Sequence, residues 1–282
     1  MKRILVGLAA LAALFLAADA SAQGKQWTKV KIATEGAYAP WNFMNSAGKV
    51  DGFEPELALE LCKRAKVECE VIAQDWDGII PALTASKYDA IMAGMNITDK
   101  RLEVINFTQP YGATPAFLLV LKNGPLAKLP GNGQVFSLNN DVANAEKAIA
   151  EMKPLLKGKV IGAQVSTTNS NFVEHYFKDI AEVRLYKTTE QHDLDLAAGR
   201  IDAAFAASSY WNDVLSKPEG KDMMMAGAGF SGGILGRGVA VGLRKTDPEL
   251  KELFDKAITE VKADGTLKTL SVKWFKMDIT PK

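Results

Sequence analysis

Short apolar runs and segments with helical three- and four-residue spacing alternate along almost the whole chain, and that alternation most constrains how it can fold. Val30 to Ala33 reads as a strand, Pro55 to Ala65 as a helix and Glu68 to Ala73 as a strand. Asp77 to Ser86 reads as a helix capped by Asp77 with Pro81 near its first turn, and Asp89 to Ala93 as a further strand. The pattern then repeats. Lys159 to Ala163 predicts a strand, Thr167 to Phe177 a helix and Val183 to Tyr186 a strand. Thr189 to Ala198 predicts a helix stopped by Gly199, and Ile201 to Ala206 a strand. Two sets of βα units of similar build predict an α/β fold with mostly parallel sheets.

The first residues read as a secretory signal. Lys2 and Arg3 are basic, Ile4 to Ala18 is almost wholly apolar, and Ala20-Ser21-Ala22 supplies small residues for cleavage before Gln23. The apolar run is shorter than the roughly 20 residues of a spanning helix. No cysteine follows it that would carry a lipid, so residues 1–22 are expected to be removed and the rest released into the periplasm. Without that leader the acidic and basic side chains balance. A balanced chain lacks the basic excess typical of nucleic-acid binders, so no nucleic-acid partner is expected.

The sequence contains two cysteines, Cys62 and Cys69. In an exported chain such a pair most often forms a disulfide, here tying the end of a helix to the start of a strand. Two thiols with no nearby histidine make a poor zinc site, and no metal constellation or cofactor motif is evident elsewhere.

Three ordered segments carry a family likeness: Thr34-Glu35-Gly36-Ala37-Tyr38-Ala39-Pro40-Trp41, the stretch Glu60 to Cys69 with its two cysteines, and Asn96-Ile97-Thr98-Asp99-Lys100-Arg101. Together they resemble the periplasmic polar-amino-acid-binding proteins of ABC importers. Within that family they resemble the lysine/arginine/ornithine/histidine binders and the octopine- and nopaline-binding type. The likeness runs from about Val30 to the C-terminus. It implies a type II periplasmic binding fold: two lobes, each a mixed, mostly parallel sheet flanked by helices, joined by a hinge. Lobe 1 would take residues 27–115 and 238–282, and lobe 2 residues 116–237. Ala143 to Leu156 reads as a helix within a lobe-two decoration. The implied partners are a small cationic ligand and a membrane permease, with the protein acting as a monomer.

The same resemblance assigns the site. Arg101 falls where the Ser-x-Thr-x-x-Arg pattern places the group for a ligand α-carboxylate, with Asn96 replacing the usual serine. A guanidinium suits that task because it can engage both carboxylate oxygens. Ser166, Thr167 and Thr168 lie between a strand and a helix. They can serve as a second carboxylate contact through the helix N-terminus, as simple N-caps, or as both. Glu35 matches the position that receives the side-chain cation, while Tyr38 and Trp76 match the aromatic pair that sandwiches the ligand stem. Trp76 has the alternative of core packing, although Asp75 and Asp77 beside it suggest a loop. Ala163 and Gln164 complete the implied set.

The departures point to ligand chemistry. Where the simpler binders carry an aspartate for the free α-ammonium, this chain has Ala207, followed by Ser208 and Ser209. Ala93 and Gly94 replace serines and open room. An arginine-derived opine, whose α-nitrogen bears a carboxyalkyl arm, fits this pattern better than free arginine. Other motifs lead nowhere. Gly229-Phe230-Ser231-Gly232-Gly233 fits a nucleophile elbow, but the only histidines, His175 and His192, precede the serine and are expected on the surface of lobe-two helices. Gly227 to Gly232 mimics a dinucleotide fingerprint without a convincing helix behind it. Met223 to Met225 reads as packing. A cyclohexadienyl dehydratase on the same fold, with Glu35 as its acid, is the enzymatic alternative. A sensor presenting ligand to a receptor would use the same pocket.

Overall fold

The computed structural model describes residues 25–281; the expected signal segment, residues 1–22, lies outside them. In chain order come β1 (Lys29–Thr34), a small meander β2–β4 (Ala37–Tyr38, Asn42–Met44, Val50–Asp51), α1 (Phe53–Ala65) and β5 (Glu68–Ala73). α2 (Ile79–Thr84), β6 (Ala90–Ile91), α3 (Asp99–Leu102) and β7 (Asn106–Phe107) follow. The second body holds β8 (Ala116–Leu121), β9 (Val135–Ser137), α4 (Val142–Leu156), β10 (Val160–Gln164), α5 (Thr168–Phe177) and β11 (Glu182–Tyr186). It continues with α6 (Thr189–Ala197), β12 (Ala203–Ala207), α7 (Ser208–Leu215) and β13 (Met223–Ser231). The chain then returns through β14 (Gly242–Leu243) and ends with α8 (Pro248–Ala263) and α9 (Thr266–Phe275).

These strands form two main sheets. The first has the order β5-β1-β6-β14-β7 and the second β11-β10-β12-β8-β13-β9. β1 runs parallel to β5 and β6, and β10 parallel to β11 and β12, as the βα units require. The strands that carry the chain between the bodies run the other way: β8 is antiparallel to β12 and β13, and β14 to β6 and β7. β12, Ala-Ala-Phe-Ala-Ala, is buried over its first four residues, the composition of a strand covered on both faces.

Each body has its own core. In the first, Leu57 and Leu61 of α1 pack with Phe254 and Ile258 of α8. There Trp41 meets Phe53 edge-on and Phe275 at 4.8 Å. In the second, Phe172 of α5 stacks on Phe205 of β12 at 4.7 Å. Burial of this kind, at about 25 cal/mol per Å² of apolar surface, dominates the favourable side of folding.

Three local expectations change. Asp77 does not cap a helix: the helix begins at Ile79 after Gly78, whose φ of 108° favours glycine, and no side chain caps it. The strand expected over Asp89 to Ala93 shortens to Ala90–Ile91, because the chain leaves the sheet at Gly94, φ +61°. On the return to the first body, Gly242–Leu243 forms a strand and Val239 bridges singly to Asn96 and Gly112. His192 is not a surface residue; it is fully buried, held at 2.9 Å from Asp193 and packed against Tyr186 and Trp211. Gly162 of β10 makes that possible, since a Cβ there would stand 3.1 Å from the His192 Cβ. His175 is exposed, as expected.

The disulfide Cys62–Cys69 joins the last turn of α1 to β5 across a left-handed cap at Lys66. Replacing both cysteines by serine is expected to lower stability by about 2.5 kcal/mol from lost loop-closure entropy. Denaturant unfolding of the two proteins checks this; coincident midpoints would rule it out.

Candidate functional site

A cleft of about 590 Å³ opens between the two bodies, inside the roughly 300–1,000 Å³ usual for small-molecule sites. It brings together eleven of the residues that the sequence points to: Glu35, Tyr38, Trp76, Ala93, Gly94, Asn96 and Arg101 from the first body, and Gln164, Thr167, Thr168 and Ala207 from the second. Ala163, Ser166 and Ser208 do not line it. Ala163 is buried in the sheet, Ser208 starts α7 with its N–H on Pro115 O, and Ser166 is exposed.

The end of the cleft that carries Arg101 is built on α3. The Thr98 hydroxyl accepts from the Arg101 N–H at 3.2 Å and so caps this one-turn helix, which explains the Thr-x-x-Arg spacing. The guanidinium donates to the backbone oxygens of Asn96 at 2.8 Å and Ser166 at 3.4 Å, and lies 5.3 Å over the Trp76 ring. Ser166 takes a left-handed φ of 61°, so it contributes its carbonyl here. Partial burial desolvates Arg101 and lowers its pKa to about 10, leaving it charged at neutral pH. Among the described residues it has no acidic partner within ion-pair distance. Facing it is the N-terminus of α5. The Thr167 hydroxyl is committed there, donating to Gln164 O at 2.7 Å and accepting from the Ser170 N–H at 3.0 Å.

The end of the cleft that carries Glu35 lies where β1 leaves its sheet. Glu35 is 9% exposed, and its Oε1 accepts from Gln164 Nε2 at 2.5 Å. Burial raises its pKa from 4.5 to about 7, with the nearby negative charges of Glu54 and Asp75 adding to the rise and the Gln164 bond opposing it. No cation pairs with it among the described residues. The Tyr38 ring sits beside it, stacked on Tyr210 of the other body at 4.9 Å, with its hydroxyl bonded to the Ala207 backbone. Any side chain at position 94 would press on that ring, since a Cβ on Gly94 would lie 3.3 Å away.

Several contacts around the cleft escape the sequence reading. Trp41 Nε1 donates to Ser209 Oγ at 3.0 Å, Ser209 meets the Thr114 hydroxyl at 3.1 Å, and Lys187 pairs with Asp75 at 2.7 Å. These contacts, like the Tyr38–Tyr210 stack, join side chains distant in sequence that meet only when the two bodies close together. No local pattern encodes them.

For a ligand whose cation meets Glu35, the raised pKa of that carboxyl predicts a pH dependence of binding. A cation binds the ionised form, so association releases a proton wherever the free carboxyl is protonated. Affinity for a cationic ligand should therefore hold above pH 7 and fall below it, by up to about tenfold per pH unit. Calorimetry between pH 5 and 8 reads this directly; a flat profile would mean that Glu35 does not meet the cation. The ligand-free fold has the matching sign. Its pKa exceeds the unfolded value, so this group's contribution to stability declines as pH rises from about 4.5 to about 7.

Two α/β lobes closing on a polar cleft define the type II class of solute-binding proteins. The chain belongs to the bacterial extracellular solute-binding proteins, family 3, whose sequence profile matches residues 30–277. It is 48% identical over 289 residues to the octopine-binding periplasmic protein of Rhizobium meliloti, covering 96% of this chain and 97% of that one. It is 35% identical over 285 residues to the histidine-binding periplasmic protein of Salmonella typhimurium, covering 99% of each. Among solved structures it resembles a periplasmic His/Glu/Gln/Arg/opine family-binding protein from Silicibacter pomeroyi in complex with lysine. That match has a TM-score of 0.72 and 36% identity, and covers 90% of this chain and 100% of the other. These relatives are named as binders, not enzymes, and the dehydratase alternative finds no comparable support among them.

Proposed function

We propose that this protein captures a cationic amino acid, or an arginine-derived opine, in the periplasm and delivers it as a monomer to the permease of an ABC importer. One observation carries the reading: Arg101, a guanidinium without an acidic partner among the described residues, and Glu35, a buried carboxylate without a cationic partner among them, line the same cleft. A ligand with an anionic head and a cationic tail satisfies both, whereas either charge left unpaired in the closed cleft is costly. Tyr38 and Trp76 supply aromatic faces for the stem. The octopine-binding relative, and the lysine complex of the similar solved protein, support this ligand class.

The opine form of the ligand rests on Ala207. It lines the cleft at the end of β12, its N–H is taken by Tyr38, and the polar groups behind it, Ser209 and Thr114, are neutral. Alanine at this position offers a free α-ammonium no carboxylate of its own, while a substituted nitrogen carrying a carboxyalkyl arm brings one. Calorimetric titration with arginine, ornithine, octopine and nopaline tests this. Sub-micromolar opine binding with weak arginine binding is the expected result. Tight binding of free arginine would make the protein an importer component for ordinary basic amino acids. No binding of all four would overturn the reading and reopen the dehydratase alternative.

A further inference from the structure

We propose that Glu54, a fully buried carboxylate outside the cleft, is the positioning residue that fixes both walls of the cation-binding end. The inference rests on the proposed binding of a cationic ligand at Glu35. Glu54 lies in the first turn of α1. Its Oε1 accepts from the Gly94 N–H at 2.7 Å and from the Tyr111 hydroxyl at 2.5 Å, and its Oε2 accepts from Asn42 Nδ2 at 2.7 Å. Asn42 in turn accepts the Gly36 N–H at 2.7 Å. One carboxylate thereby holds Gly94, the cleft wall against the Tyr38 ring, and, through Asn42, the turn that carries Glu35 and Tyr38. Its third bond reaches the interlobe connection, because the Tyr111 N–H donates to Val239 O at 2.8 Å.

A structural reading alone does not account for this arrangement. The start of α1 favours a negative side chain, but a first-turn acid gains that benefit at the surface as well. Glu54 is buried and forms no ion pair among the described residues, a costly placement for a carboxylate. What the carboxylate alone provides is two acceptor oxygens for three donors from three segments. A glutamine in its place turns one oxygen into a donor, which must then face the donor from Asn42 or those from Gly94 and Tyr111. Burial raises the pKa of Glu54 and the bonds from Tyr111, Gly94 and Asn42 oppose that rise; its ionised form acts on Glu35, whose other polar neighbours are Gln164, Tyr38 and Asp75, the last paired with Lys187.

The test uses the mature protein, with arginine and octopine titrated by calorimetry from pH 5 to 8. E54Q is expected to bind each ligand about tenfold more weakly near pH 8, as the loss of a hydrogen bond to a charged group implies. The pH at which its affinity falls should also move to a lower value, because the charge that disfavours ionised Glu35 is gone. N42A cuts the link to Gly36 while leaving Glu54 bound to Gly94 and Tyr111. It should lose a similar factor with a much smaller displacement of the pH profile, and it decides the matter if E54Q does not fold. Folded variants that bind within twofold of wild type, with an unmoved profile, would overturn the positioning role. Failure of the wild-type protein to bind either ligand would instead strike at the proposed function.

Discussion

Arg101→Met is expected to bring binding of arginine, ornithine and octopine down by on the order of a hundredfold or more, beyond easy detection. The guanidinium is oriented in advance, by the Asn96 and Ser166 carbonyls on one side and the Trp76 ring on the other, so it spends little freedom in meeting a carboxylate. Removing it leaves the ligand carboxylate facing an apolar side chain in a partly dehydrated cleft, a change worth about 2–5 kcal/mol for truncated charge pairs. Methionine keeps much of the volume, and Arg101 makes no ion pair among the described residues, so the melting temperature should move little. Arg101→Lys should fall between the two, since an ammonium keeps the charge and loses the planar fork. Calorimetry and a thermal melt on the same samples separate lost binding from lost folding. Near-native affinity in the methionine variant would refute the site.

The second large effect is expected at the other end of the cleft. Glu35→Gln keeps the shape and an oxygen that accepts from Gln164, but removes the charge for the ligand's cation. Arginine affinity near pH 8 should drop by about 1.5–3 kcal/mol, the range for a hydrogen bond to a charged group. The decline of wild-type affinity below pH 7 should vanish, because its titrating group is gone. The ligand-free variant should be more stable than wild type at pH 8, where the buried carboxylate is ionised, and less distinct from it at pH 5. A variant that loses affinity but keeps the pH profile would assign the titration to another group.

How legible each part was follows from the range of the forces involved. β5 lies over Glu68–Ala73 as its alternation predicts, and α1 carries its apolar side inward with Pro55 in the first turn. The helix expected over Ala143 to Leu156 forms over Val142–Leu156. These are local matters of periodicity and capping. Asp77 misled because a glycine with positive φ, not a side chain, starts the helix after it. His192 misled because a polar side chain on a helix reads as surface unless the sheet beneath offers a gap, and Gly162 offers one. Ser166 stood beside the right turn, but its left-handed backbone sends the carbonyl toward Arg101 and leaves its side chain out of the cleft lining.

By itself the sequence determined the α/β order of elements, the cysteine pair, and the residue types at both ends of the cleft, because each depends on neighbours a few positions away or on a motif of fixed spacing. Only the tertiary structure decided what those residues meet. It laid the Tyr210 ring on Tyr38, tied Gln164 to Glu35 and gathered Gly94, Asn42 and Tyr111 onto Glu54. The segments involved are brought together by two separate sheets and by a chain that leaves the first body and returns. Contacts of that kind depend on how the bodies close, which no local pattern records.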